Sequence, residues 1–552
     1  VNKARVAAAV LLLLLALAVV RPIPPSDPIR AERSAKLAVL LVPAATPEDV
    51  TTLGGVAAAL PCRDGGAGWD ILAVLASGSR SPTPGPYLAD RLRDAGIGTT
   101  ATGSLGRSLL RSAGAAPSGT ARVTVIDEDI FLRVSADTAR QKLREHVDRW
   151  RAQGARVLVL AAWPPPGRRL GALVLIDGER RGRQFVAPTA GSRPGIVPAT
   201  DIAALCLALV GGEATVGVGR APRWGRGAFD LPDAVARWEA QARRQRLLVF
   251  VPWGISGLLL IGAGRLAIAV PLALLLLGGI LPPSTAPVLS YAVASLAAMA
   301  LAFFLSQRRL AWLATAVILM DTALGGGLLA TTPFSYGVAE AARFYGIGNE
   351  VAGYLLGSIF VAAGRDRWTV AIFGAAAALA LGGPGLGANA GCFAALLIGI
   401  TVSLVASLPR SQRARALAVA AVAVVMLLAA VSGLDALRGE RSSHIGRAVR
   451  SIDSGGWGAI VTIATRKLTM NVHLLGSSPW ALLLLVEAGV LVSRGRREGV
   501  VSEPGVLGAA AAALVLNDSG VVAAATALLW GTAMAARPSP GGIAAGEDAD
   551  SA

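Results

Sequence analysis

The sequence predicts an exported α/β domain with a mostly parallel sheet, followed by an all-α polytopic membrane domain of about 10–11 helices, with one signal or anchor helix ahead of both. Three observations carry that expectation. Apolar runs crowd the chain from Leu247 almost to its end, many of them near the ~20 residues a helix needs to cross a bilayer. The block before them alternates apolar runs of strand length with helical stretches. A lone apolar run, 6–20, follows Lys3 and Arg5.

Composition agrees. Of the 552 residues, 54% are hydrophobic and the mean hydropathy is +0.58, so a soluble chain would have nowhere to place its apolar surface. The formal charge of +17 does not point to nucleic acid. Arginines recur in the short turns between apolar runs, where positive charge sets topology. The exported block is also basic, which suits an anionic lipid surface or an anionic envelope polymer. Three cysteines make no framework. Cys62 and Cys206 share the exported block, so a pair stays open, but Cys206 lies in the apolar run 202–210, where a buried thiol is the simpler reading.

Residues 1–20 read as a signal peptide or signal anchor, since Ala16-Leu17-Ala18 is a weak cleavage site. Residues 21–229 form the extracytoplasmic domain. Strands are expected at 37–42, 70–75, 123–126, 157–161 and 172–176, and helices at 46–60, 86–95 and 136–153. The last helix carries Leu143, Val147 and Trp150 on one stripe. Residues 230–246 read as a charged helical linker, 247–537 as the polytopic domain and 538–552 as a disordered cytoplasmic tail. Spans are expected near 247–262, 266–281, 286–305, 310–329, 351–363, 368–381, 390–408, 416–431, 479–492, 505–516 and 521–536. Threaded alternately, they put Arg265, Arg308, Arg309, Arg365, Arg367, Arg410, Arg413, Arg415, Arg494, Arg496, Arg497 and Arg537 on the inside. That places the chain in a bacterial cytoplasmic membrane with residues 21–246 outside. Arg243, Arg244 and Arg246 break the pattern, as long exported domains are allowed to do.

Ser192-Arg193-Pro194-Gly195-Ile196-Val197, then Thr200-Asp201-Ile202-Ala203, then Leu209-Val210-Gly211, resemble a late segment of alkaline-phosphatase-like domains. Tyr87-Leu88-Ala89-Asp90-Arg91-Leu92 with Ala95-Gly96-Ile97 is similar to a helix of the same superfamily. The resemblance covers about 35–212 and implies that fold. Its enzymes hold two metal ions with Asp and His ligands, and here those ligands are missing. Pro43-Ala44-Ala45 follows the opening strand where an Asp is expected. Trp163-Pro164-Pro165-Pro166 stands where an Asp-His pair is expected, and the block has one histidine, His146. Asp127, Glu128 and Asp129 read as a solvated turn, and Ser79 and Ser81 beside Arg80 as a loop. The domain is therefore expected to be an inactive, metal-free relative, a pseudoenzyme.

In the membrane domain, unusual polar residues gather at the outer span ends. Arg343, Tyr345, Asn349 and Glu350 precede one span, Asn389 another, and Asn517 and Asp518 form the turn of the last pair. The exported loop 434–478 adds Arg466, Lys467 and His473. A cationic pocket beside lipid suits a phospholipid or polyprenyl-linked phosphate. Arg343, Glu350, Asp518 and His473 are the expected catalytic groups, with Tyr345, Asn349, Asn389, Arg466, Lys467 and Asn517 binding substrate and no cofactor required. Residues 343–352 also resemble a loop of O-antigen ligases and polymerases at Asn349 and Ala352. Two other readings stay open. One is a secondary transporter using the intramembrane acids Asp321 and Glu487. The other is a non-catalytic envelope scaffold.

Overall fold

The computed structural model describes residues 27–29, 35–61, 88–94, 97, 99–102, 122–164, 169–177, 183–186, 195–212, 215–216, 219–226, 230–339, 346–364, 366–383, 386–436, 458, 461, 464–498 and 503–535. The signal segment, the strand expected at 70–75 and the tail lie outside them. The chain divides into two compact units. One is α/β, Pro22–Ala242 with Gly337–Phe344, and the other is helical, holding Arg243–Tyr336 and Tyr345–Ala552.

The α/β unit contains strands β1 Asp27–Pro28, β2 Lys36–Leu41, β3 Val56–Pro61, β4 Thr99–Ala101, β5 Val123–Asp127, β6 Ala155–Ala161, β7 Leu170–Ile176, β8 Arg183–Val186, β9 Thr215–Val216, β10 Gly219–Arg220 and β11 Arg223–Arg226. Six of them make one mixed sheet in the order β3-β7-β6-β2-β5-β4. The pairs β6-β2, β2-β5 and β5-β4 are parallel, whereas β7 runs antiparallel to both β6 and β3. Strand β2 shows why continuous apolar runs form the centre. Leu37, Val39 and Leu41 enter one core while Ala38, Leu40 and Val42 enter the other. A strand covered on both faces has no polar side to show. Helix Ile202–Leu209, buried at every position, covers the first face. Its terminal carbonyls accept from Arg156 Nη1 at Leu209 and Arg122 Nη2 at Val210 (3.2 and 2.7 Å). Helix Ala136–Ala152 packs Leu143 and Val147 into the second core, along the stripe its sequence predicts.

Two expectations change here. The helix expected over 46–60 is a short helix, Pro47–Thr51, followed by strand β3. Thr46 and Asp49 form a capping box that starts it. Gly54 and Gly55, at φ +73° and +96°, turn the chain out of helix, and Gly55 lies where a Cβ would strike the Leu175 carbonyl. The segment expected as a charged linker is helix Leu231–Gln245, and its Leu231, Val235, Trp238 and Ala242 belong to the second core. Glu239, 3% exposed, accepts from the backbone N–H of Arg169 and Leu170 (2.7 and 2.8 Å) at the entry to β7.

In the helical unit a helix stands at each expected span: Val251–Leu260, Gly264–Ile280, Pro287–Phe304, Gln307–Ala323, Asn349–Ala363, Arg367–Gly382, Ala390–Ala406, Arg410–Ala436, Pro479–Glu498, Pro504–Leu516 and Gly520–Ala535. The fourth is broken. Gly325 and Gly326 (φ +105° and +75°) end Gln307–Ala323, and Gly327–Thr331 starts a new short helix. By length and composition, fewer spans are shown than the 10–11 expected. Among the described residues only Pro287–Phe304 and Arg410–Ala429 are long and apolar enough to cross a membrane. The pair Ala464–Ser477 and Pro479–Arg494, bent by 82°, adds a third if it counts as one span. Both long helices leave large apolar side chains bare, among them Phe303, Phe304, Val422 and Met426.

Close packing brings the helices together through small residues. Gly353 and Gly357 of Asn349–Ala363 sit where a Cβ would lie 2.2 and 2.3 Å from the carbonyls of Ala523 and Ala527. The matched rise, 353 to 357 against 523 to 527, means these two helices run the same way. Gly391 and Gly399 meet Asn517 and Gly505 at 2.8 Å in the opposite sense, so Ala390–Ala406 runs against Pro504–Leu516. Spacing of four between small residues lets helix backbones approach where lipid gives no hydrophobic drive.

Candidate functional site

Those two contacts put three helix starts and one helix end at one place. Asn349 is the first residue of its helix, Asn389 caps Ala390–Ala406, and Asn517 caps the end of Pro504–Leu516, three residues before Gly520–Ala535 begins. The three side chains form one network. Asn349 Oδ1 accepts from Asn389 Nδ2 at 3.0 Å and from Asn517 Nδ2 at 3.1 Å. Asn389 Oδ1 accepts from Cys392 N–H at 3.2 Å, capping its own helix. Asn517 Nδ2 also lies 2.9 Å from Cys392 Sγ. Asn389 and Asn517 are buried, and Asn349 is half-buried.

A fourth amide, absent from the expected set, completes the site. Asn471 on Ala464–Ser477 donates to the carbonyls of Leu514 and Asn517 (3.0 and 2.9 Å) and accepts from Gly520 N–H at 2.7 Å. It bridges one helix end to the next helix start. Its sequence signal was a lone amide following a cationic pair, Arg466-Lys467, on one helical face. Lys467 Nζ reaches the Leu516 carbonyl at 2.6 Å, a cation at a helix C-terminus. Asp518 pairs with Lys467 at 3.5 Å and with Arg466 at 3.7 Å. These pairs are partly exposed and contribute little to stability.

Ala464–Ser477 turns its polar residues Lys467 and Asn471 to the protein and leaves Leu468, Val472 and Leu475 exposed. His473 is exposed on the same helix, outside the network. Glu350, 4% exposed, accepts from Ser335 Oγ at 3.3 Å in the first turn of its helix. Arg343 and Tyr345 lie outside the described residues.

The cluster gathers charge of both signs, since buried Glu350 lies in the first turn of Asn349–Ala363 and the end of Pro504–Leu516 meets it. Three helix N-termini bring positive ends of their dipoles to the cluster. Gly348, which caps Asn349–Ala363, offers no side chain to its first N–H groups. Among the described residues, Asn349 Nδ2 has no acceptor.

The two acids expected in the apolar part differ. Asp321 accepts from Leu328 N–H and Leu329 N–H, both at 2.9 Å, and so caps Gly327–Thr331. Glu487 is fully buried, and among the described residues neither carboxyl oxygen is bonded.

In the α/β unit, Glu128 Oε1 lies 2.6 Å from His146 Nδ1, and Asp129 pairs with Arg133. The buried Asp49, at 7% side-chain exposure, pairs with Arg140, whose guanidinium the bonds to Asp137 and Asp49 hold above its ordinary value. Cys206 and Cys392 are buried thiols outside any disulfide among the described residues, while Cys62 lies outside those residues. No known protein family, characterised protein or solved structure matches this chain.

Proposed function

We propose that this chain is a multi-pass membrane protein of the bacterial envelope that handles a phosphate-bearing, lipid-linked substrate at the asparagine cluster. The observation that carries this reading is the start of Asn349–Ala363, which no side chain caps, beside the Asn349 Nδ2, which has no acceptor among the described residues. Backbone N–H groups, an amide donor and converging dipoles suit a phosphate better than a cation. Lys467 and Arg466 add positive charge, and Glu350 is the nearest candidate base. The outward apolar side of Ala464–Ser477 supports a ligand with a lipid tail. The arginine-studded turns support a cytoplasmic location for the opposite helix ends.

The α/β unit is a phosphatase-like domain without catalysis in this reading. His146 and Asp129 are held in local pairs, and Ala44 occupies a left-handed turn (φ +61°) where the resemblance implies a metal-binding Asp. The test is mass spectrometry of lipids retained through gentle purification. Wild type is expected to carry a phosphate-bearing lipid that Asn349→Asp loses. Equal lipid content in both proteins overturns the assignment.

A further inference from the structure

Glu487 is the most anomalous side chain in the helical unit. It has 0% exposure, and among the described residues both carboxyl oxygens lack a partner. The proposed lipid-phosphate chemistry does not use it. Its helix, Pro479–Glu498, packs chiefly against Gly520–Ala535 and Val251–Leu260. Neither of those helices carries a titratable residue. Their hydroxyls turn back on their own backbones: Ser256 donates to Pro252 O, Thr526 to Val522 O and Thr532 to Leu528 O, at 2.7, 3.0 and 3.0 Å. The nearest cation on its own helix, Arg494, is seven positions along the sequence, about 10 Å of helical rise.

An ionised carboxylate left without a partner in such a place costs several kcal/mol, and removing its charge relieves most of that. The neutral acid is the form this packing accommodates. Replacing buried charged groups by apolar residues of similar volume is often neutral or stabilising, so packing alone does not call for an acid here.

We propose that Glu487 is an internal proton-binding site, occupied in the packing seen here and emptied when Pro479–Glu498 parts from Gly520–Ala535. The step is a plain proton exchange: the Glu487 O–H bond breaks, water takes the proton, and the carboxylate becomes hydrated. The two parting helices meet at the asparagine cluster, because Gly520 N–H, at the start of one, donates to Asn471 Oδ1, on the helix that directly precedes the other. Proton release at Glu487 therefore loosens one wall of that cluster. This inference does not depend on which ligand the cluster binds.

The test uses the full-length purified protein. Infrared spectra at pH 7 are expected to show a carboxylic-acid C=O band in wild type that Glu487→Gln lacks. If Glu487→Gln removes only carboxylate bands, the proposal fails. Should that variant not purify, isotope-labelled glutamate in wild type must shift the acid band, and an unshifted band is equally fatal. Hydrogen exchange then reads the parting of the helices. Once the proton begins to dissociate, opening of 479–498 and 520–535 should rise about tenfold per pH unit in wild type relative to Glu487→Gln at the same pH. Matching pH profiles in the two proteins overturn the coupling. Loss of lipid retention with an intact acid band would instead count against the lipid-phosphate reading alone.

Discussion

Asn517 donates from Nδ2 to Asn349 Oδ1 at 3.1 Å, joining residues 168 positions apart in the chain. The same oxygen accepts from Asn389, so one acceptor holds two donors and two other helices. Among the described residues, nothing accepts from the opposite end of the Asn349 amide. In the proposed reading, structure and recognition are divided between the two ends of one side chain.

That division predicts opposite behaviour for two substitutions. Asn349→Asp keeps an oxygen for both donors and suits the first position of a helix. It replaces the free donor with negative charge. Its melting temperature should stay close to wild type, while retention of a phosphate-bearing lipid falls at least tenfold. Asn349→Leu takes one acceptor from each of two buried amides, which keep Ile347 O and Cys392 Sγ, at a cost of about 1 kcal/mol for each lost bond. Its melting temperature should fall clearly. Thermal unfolding in detergent and lipid mass spectrometry together distinguish the two.

Asp321 should behave as a structural residue. It satisfies two backbone N–H groups where Gly325 and Gly326 break the helix. Asp321→Ala is expected to cost about 1–2 kcal/mol, the usual size of a lost N-cap. Lipid retained per folded molecule should not change. Complete loss of function at unchanged stability would instead favour a transporter that uses this acid.

Cys206 gives a pH signature in the α/β unit. Burial pushes its thiol up to about 12 from an ordinary 9.0. The folded state keeps the proton over a range in which the unfolded state has lost it. Its contribution to stability is therefore complete below pH 9 and is lost as pH rises toward 12, at up to ~1.4 kcal/mol per pH unit. Cys206→Ala should remove that component of the alkaline slope in unfolding measured at stepped pH. Native protein should also resist thiol alkylation at Cys206 until it is unfolded.

Much of this architecture is legible in the sequence, for identifiable reasons. Strands β2, β5 and β6 read as unbroken apolar runs because both faces of the sheet are covered. The helices of the apolar region read from their hydropathy, but hydropathy does not measure length. Several of them stop short of a bilayer because glycine or a polar cap ends them early. Strand β3 was hidden because Val-Ala-Ala-Ala-Leu suits a helix by propensity, and only Gly54-Gly55 marks the break. The reversed direction of β7 leaves no mark on a run that is apolar at every position. Asn349, Asn389 and Asn517 stand out singly as amides at span ends. That they meet depends on Gly353-x-x-x-Gly357 and on Gly391 and Gly399, small-residue spacings that act only between helices. The apolar stripe of Trp238 is masked in the sequence by the charge that dominates the rest of that helix.

Gly391 offers the sharpest test of whether helix approach builds the cluster. A Cβ at this position would lie 2.8 Å from Asn517 Cα, 3.0 Å from Asn517 Cβ and 3.0 Å from the Leu516 carbonyl. Two of those three atoms are backbone, so no side-chain rotation relieves the clash. Ala390–Ala406 must instead move away from Pro504–Leu516. Asn389, next to the clash, then loses its place beside Asn349 and Asn517, and Cys392 Sγ moves away from Asn517 Nδ2. Overpacking of this kind costs about 1–3 kcal/mol. Gly391→Ala should therefore lower the melting temperature and weaken lipid retention together, although the substituted residue carries no polar group. A control separates this from a general intolerance of alanine. Gly489, which has nothing within 4 Å of a built Cβ, should accept the same change without either effect. If Gly391→Ala and Gly489→Ala both leave stability and retained lipid at wild-type levels, then contact at Gly391 does not hold the asparagines together.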